Sequence, residues 1–312
     1  MTDRPILFGE VLFDHFPDGS AVLGGAPFNV AWHLRGFGLD PLLISRIGSD
    51  DEGRHVLDAM TGWGLDRAGI QIDANHPTGA VNITLEAGQP SFDIVANAAY
   101  DHIAADQIPA GVDGGLLYHG SLAARGGQSR AALMGLRSDD RAVFVDINLR
   151  PPWWDRDRVA GLIRGARWLK LNEDELLQID ATAGDPTVGA PIAGRMDDSS
   201  APTGAIATLP VAEAVKTRFG LHTVIITRGS KGAFILDPDG VVSGEVPAVE
   251  LVDAVGAGDA FSSVMILGFA RGWSAGDTLE RALNFAAAIC RVRGAVSGER
   301  DLYRHFLSEW GA

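Results

Sequence analysis

Two glycines and an aspartate at the head of an apolar run have the types and spacing for chemistry. In DAVGAGDAF (253–261), Gly256 and Gly258 permit tight or left-handed backbone and let a ligand approach the main chain. A helical apolar pattern starts where the glycines end. The first N–H groups of that helix therefore lack intrahelical acceptors and lie at the positive end of its dipole. Such a turn suits an anion, a phosphoryl group included, cradled by the amides of Ala257, Gly258 and Asp259. Asp259 adds a carboxylate at the mouth, positioned to take a proton from a hydroxyl. Local chemistry leaves a plainer reading open: Asp is a preferred helix cap, and the glycines suit a turn with no ligand.

Other segments carry polar residues at element ends. GGAPFNVAWHLRGFG (24–38) places Asn29 on a helix behind the Gly24–Gly25 turn, and SRIGSDDEG (45–53) follows the next strand. DINLR (146–150), KLNEDE (170–175) and TRGSKGAF (227–234) each end a strand with polar or charged residues. Asn172 and Glu175 also fit a helix start with an acid in its first turn. Asp14 also fits a solvated strand end, and Arg150 and Lys170 fit ordinary surface charges.

Taken together, these segments resemble the ribokinase-like (PfkB) carbohydrate kinases. DAVGAGDAF is similar to that family's C-terminal signature, with Ala254 where Thr is usual. GGAPFNVAWHLRGFG with SRIGSDDEG resembles its N-terminal signature, and the two stand in the family's order. The resemblance covers nearly the whole chain except residues 181–207. It implies a three-layer α/β/α fold with a mostly parallel central sheet, and a small β-lid from strands within about 10–22 and 77–100. It implies ATP as phosphoryl donor, Mg²⁺ bridging its phosphates, and Asp259 as general base. Asp14, Gly24, Gly25, Asn29 and Arg150 would meet the sugar. Lys170, Asn172, Thr227, Gly229, Asn284 and Ala287 would border the nucleotide, and Glu175 would order the Mg²⁺ through water. Asp253 would help hold a K⁺ ion. A homodimer joined through the lids is a further implication. Within the family the fructokinases are most similar, through GEVLFD, GGAPFNVA, the 76–101 run and DINLR. A 2-keto-3-deoxygluconate kinase is the alternative, and a non-catalytic sugar- or nucleotide-binding regulator is an alternative of another class.

Composition agrees with an enzyme of small molecules. The formal net charge of −14 disfavours a general nucleic-acid binder, which needs a basic surface. The single cysteine, Cys290, excludes an internal disulfide, and the eight histidines show no zinc spacing. The start shows no signal-peptide pattern and no apolar run reaches a membrane span, so a cytoplasmic protein is expected. No G-x-G-x-x-G follows the first strand and no Walker P-loop occurs.

The elements that must position these residues alternate. Strands are predicted at 6–16 (with a break near Gly9), 41–48, 115–122, 142–150, 166–172 and 223–229. Helices are predicted at 24–38, 50–64, 252–272 and 279–295. That order predicts a parallel sheet covered on both faces. Residues 78–96 read instead as a hairpin outside it. Residues 181–207, rich in Gly, Pro, Ala and Ser, read as a surface insertion.

Overall fold

The computed structural model describes residues 4–86, 89–112, 115–138, 141–181 and 208–311. The insertion predicted at 181–207 lies, from residue 182 on, outside the described residues. The strands are β1 (Ile6–Phe8), β2 (Leu12–His15), β3 (Ala21–Gly24), β4 (Leu42–Gly48), β5 (Ile70–Asp73), β6 (Gly79–Glu86), β7 (Gln89–Ile94), β8 (Leu116–His119), β9 (Ala142–Asp146), β10 (Trp168–Asn172), β11 (Thr223–Thr227), β12 (Ala233–Asp237) and β13 (Gly240–Gly244). Nine of them form one sheet in the order β13-β12-β11-β10-β9-β8-β1-β4-β5. Every pairing from β11 to β5 is parallel, and β12 and β13 are added antiparallel.

Strand residues alternate between two apolar cores, because successive side chains of a strand point to opposite faces. Ile6, Phe8, Val143, Val145, Val224 and Ile226 join one core, while Leu7, Phe144 and Ile225 join the other. The first core is closed by α3 (Gly127–Leu136), α4 (Arg156–Ile163), α5 (Glu173–Ala181) and α6 (Leu209–Phe219). The second is closed by α1 (Ala26–Gly36), α2 (Asp51–Trp63), α7 (Ala257–Arg271), α8 (Ala275–Ile289) and α9 (Arg300–Glu309). This is the three-layer α/β/α fold.

The segment 6–16 is two strands. Gly9, at φ 151, turns the chain out of the main sheet, and a Cβ there would lie 2.6 Å from Pro27 Cγ. β2 then enters a second sheet, ordered β3-β2-β6-β7, that contains the predicted hairpin. Asp50 ties the two sheets together. It caps α2 through the Gly53 N–H at 2.8 Å and accepts from the Thr78 N–H at 2.8 Å and hydroxyl at 2.6 Å, just before β6. In the main sheet, β1 lies between β4 and β8, so the chain winds outward in both directions from it. The carboxyl ends of β1, β8, β9 and β10 open onto the crevice where such sheets bind ligands.

Candidate active site

Helix α7 opens on the glycine turn singled out in the sequence. Gly256 precedes it at φ 78, with no side-chain cap. The first intrahelical bond runs from the Ala260 N–H to the Gly256 carbonyl at 2.8 Å. The amides of Gly258 and Asp259 come before it and have no intrahelical acceptor. Ala257 differs from the sequence expectation: its N–H turns back to the Ala254 carbonyl in a long 3.4 Å contact.

Asp259 is the third residue of α7, not its cap, and it accepts a hydrogen bond from Asn29 Nδ2 of α1 at 2.8 Å. It is half-buried, within reach of a ligand but set among protein atoms. Desolvation pushes its carboxyl up to about 7. The Asn29 bond opposes the rise, the nearby Asp146 carboxylate adds to it, and the cations of Lys170 and Arg150 oppose it.

The Gly24–Gly25 turn brings the remaining polar groups together. Gly25, at φ 109, passes so close to β1 that a Cβ would lie 2.5 Å from the Glu10 carbonyl. A Cβ at Gly24 would instead point between Asp14 Oδ2, at 3.9 Å, and Asn29 Oδ1, at 4.0 Å. Asn29 Oδ1 is buried and has no partner, so it is an acceptor awaiting a donor. Burial raises the Asp14 carboxyl, with the Arg150 charge working against the rise. Arg150 is exposed beyond β9, and its field reaches Asp14, Glu10 and Asp259.

Asn172 and Glu175 form a reciprocal cap on α5. Asn172 Oδ1 accepts from the Glu175 N–H at 2.8 Å, and Glu175 Oε2 accepts from the Asn172 N–H at 2.9 Å. Glu175 Oε1 accepts from the Leu149 N–H at 2.7 Å. Both carboxylate oxygens thus hold main-chain amides, each keeping one lone pair for a water. Burial raises this carboxyl above its usual range. Glu175→Ala strands two amides, each costing about 1–3 kcal/mol when buried. Stability measured by urea denaturation is expected to fall by about 2–4 kcal/mol; a loss below about 0.5 kcal/mol would dismiss this role.

Lys170 is engaged with a carboxylate. It is buried, and its Nζ donates to Asp146 Oδ2 at 2.7 Å. Thr227 ends β11, its hydroxyl 3.5 Å from the Leu171 carbonyl. Gly229, at φ 57, has open space where a Cβ would stand. On α8, Asn284 is half-buried and Ala287 buried. Just before α7, Leu251, Val252 and Val255 are 65%, 60% and 52% exposed, an apolar patch. Asp253 pins two loops, accepting from the Val255 N–H and the Gly294 N–H at 3.0 Å each.

Sequence reasoning passed over Glu10, Tyr118, Asp146 and Ser262. Glu10 lies just past the carboxyl end of β1, before β2; it is buried with Oε2 unpartnered, and burial raises its carboxyl against the charges of Arg150 and Arg125. Its position at a strand's carboxyl end is the signal that could have found it. Arg125 is held by Asp101 at 2.8 Å and stacks 4.3 Å from the Trp153 ring. With Asn97, Trp154 and Arg158 these residues line a cavity of about 450 Å³ beyond Glu10. The Gly256–Asp259 turn lies outside that cavity.

The pfkB family carbohydrate kinase profile matches residues 8–301. A fructokinase of Salmonella typhimurium is 26% identical over 330 aligned positions, covering 98% of this chain and 100% of the relative. An aminoimidazole riboside kinase of Salmonella typhimurium is 26% identical over 80% of this chain and 74% of its own. Among solved structures, fructokinase with bound ATP from Xylella fastidiosa superposes with a TM-score of 0.78 at 20% identity, covering 99% of this chain and 100% of that one. The 2-dehydro-3-deoxygluconokinase of Thermotoga maritima superposes equally well, at 0.78 and 19% identity, over 98% and 99%. These structural likenesses establish the same fold.

Proposed function

The chain belongs to the pfkB family of carbohydrate kinases, and we propose that it phosphorylates fructose with ATP, Asp259 taking the proton from the attacking hydroxyl. The observation that carries this reading is the convergence of Asp14, Asn29 and Asp259 around Gly24, beside the open amides of α7. A sugar lying over Gly24 and Gly25 has Asp14 and Asn29 Oδ1 as acceptors for its hydroxyls. One further hydroxyl meets Asp259. The amides of Gly258 and Asp259 stabilise the charge on the phosphoryl group in transit.

The nucleotide lies along Thr227 and Gly229, its purine against the apolar patch and Asn284. Mg²⁺, when bound, would neutralise phosphate charge. Among the described residues no cluster of three or more His, Cys, Asp and Glu side chains is placed to cage a metal. The donor set suits an ion that arrives on the phosphates and keeps its waters, ordered by Asn172 and the spare lone pairs of Glu175. Asp253, its carboxylate already tying two loops, is the candidate neighbour of a K⁺ ion.

The second sheet acts as a lid over the sugar. Its inner face carries Asp14, Val81 and Ile94, and outward of these Phe92, 61% exposed, paired with Ile83. That apolar rim favours pairing with the lid of a second copy. Among the described residues no helix is long and apolar enough to cross a membrane; a cytoplasmic enzyme is part of the proposal.

Fructose is preferred over an acid sugar because Asp14 faces the acceptor position, where a second carboxylate would be repelled. The fructokinases among the relatives support the same choice. The test is ADP release with Mg·ATP across fructose, ketodeoxygluconate, ribose, glucose and nucleosides. Fructose is expected to lead by about tenfold or more, about 1.4 kcal/mol of discrimination. A larger rate with ketodeoxygluconate would replace fructose as the acceptor. No turnover with any acceptor would favour a binding regulator on the same fold. Asp14→Ala is expected to raise the KM for the sugar about ten- to a hundredfold, the loss of one hydrogen bond to a charged acceptor, while the KM for ATP stays put.

A further inference from the structure

Beside the Gly256–Asp259 turn, toward the carboxyl ends of β8, β9 and β10, lies a buried polar cluster. Asp146 Oδ2 accepts from Lys170 Nζ at 2.7 Å, from the Ser262 hydroxyl at 2.8 Å and from the Tyr118 hydroxyl at 3.2 Å. These four side chains come from β8, β9, β10 and α7, and all are buried. The Ser262 hydroxyl also lies 3.0 Å from the Gly258 carbonyl, so its one proton is shared between the carboxylate and the first turn of α7. Lys170 Nζ would lie 3.4 Å from a Cβ placed on Gly258. The Lys170 amine therefore sits beside Gly258, in the first turn of α7.

Burying an ion pair is a costly arrangement, and apolar packing of the same volume is often as stable. Its placement under the reacting groups gives it a use. We propose that Lys170 and Asp146 are positioning residues that anchor the first turn of α7 to the sheet and together set the charge balance felt by Asp259, without touching sugar or nucleotide. Asp146 fixes the turn through Ser262. Lys170 holds Asp146 through the 2.7 Å bond and sets its Nζ beside Gly258, adding to the field at the developing phosphoryl charge. The inference rests on Asp259 being the base. The charged and titratable groups around that base are Asp146, Lys170 and Tyr118 from the sheet and Arg150 from the loop after β9, with Asp14 across Gly24.

The two members of the pair act on Asp259 with opposite sign. Asp146 favours its protonated form and Lys170 its ionised form. The test is the pH profile of kcat/KM for D146N and K170M, with kcat and sugar KM measured separately at the optimum. The acidic limb of D146N is expected at lower pH than wild type, and that of K170M at higher pH, each by about half a unit or more. In both, kcat is expected to fall about tenfold and sugar KM to change less than about twofold. A purely structural pair would lower activity and leave the limbs together. Limbs that stay at the wild-type pH, or move in the same direction, overturn the proposal. If K170M does not fold, the limb of D146N decides alone. Failure of the parent reading looks different: the wild type itself, or D259N, would then behave unlike a kinase that depends on Asp259.

Discussion

Replacing Asp259 by Asn is expected to lower kcat by about 10³- to 10⁴-fold, the contribution of a general base that acts in the transition state. The amide keeps an oxygen for Asn29 Nδ2, now 2.8 Å from the carboxylate, so sugar KM is expected to hold within a few-fold. Wild-type activity should fall about tenfold per pH unit below about 7, where this half-buried carboxyl takes up its proton. The same carboxyl affects stability with a definite sign. Its folded pKa lies above the unfolded value of 3.8. The native state therefore holds the proton more tightly, and the stability this contributes is present below about pH 4 and lost as pH rises through about 7. D259N should accordingly match the wild type in Tm near pH 4 and exceed it by a few degrees at pH 8. Coupled ADP-release kinetics and scanning calorimetry check the two halves. A variant retaining more than a tenth of wild-type kcat removes Asp259 from the chemistry.

The second large effect is expected at Gly256. Its φ of 78 lies in the left-handed region, which costs a non-glycine residue about 1–2 kcal/mol. An added Cβ would also stand 2.4 Å from Ala295 Cα and 2.5 Å from Ala295 Cβ and carbonyl oxygen. That neighbour is not free to retreat. The Ala295 carbonyl is bonded by His33 at 3.2 Å, the Ser297 carbonyl by Trp32 at 2.9 Å, and the Gly294 N–H by Asp253 at 3.0 Å. Overpacking of this kind adds about 1–3 kcal/mol. Gly256→Ala is expected to cost about 2–4 kcal/mol in urea denaturation. Because the displaced backbone carries the Gly258 and Asp259 amides, kcat should drop by about 10²-fold or more. Gly272→Ala is the matched control. That glycine is also left-handed, at φ 67, but has nothing within 4 Å of its Cβ position. It should lose about 1–2 kcal/mol and keep full activity. Equal behaviour of the two variants would show that the close packing at Ala295 has no role in holding the pocket.

Local signals were readable without coordinates. The Gly-Ala-Gly-Asp turn announces itself because a helix start with glycines has unmade amide bonds whatever surrounds it. The strands 42–48, 168–172 and 223–227 are near-continuous apolar runs because both of their faces are covered. The short edge strand Ile70–Asp73 and the closing helix Arg300–Glu309 were not read. The first is four residues long, too short for a period. The second follows a turn-rich stretch and is capped by Glu299 without a side-chain bond.

What the chain's order of residues determined by itself was the fold class and the family, since the first rests on periodicity and the second on short motifs of near neighbours. What only the tertiary structure decided was which groups work together. Asn29 and Asp259 meet across 230 positions of chain. Lys170 turns inward to Asp146, and Glu175 spends both oxygens on main-chain amides. The physical reason is that a side chain's charge state and partners depend on what the sheet and helices bury beside it, and burial is a property of packing in three dimensions that spacing along the chain does not carry.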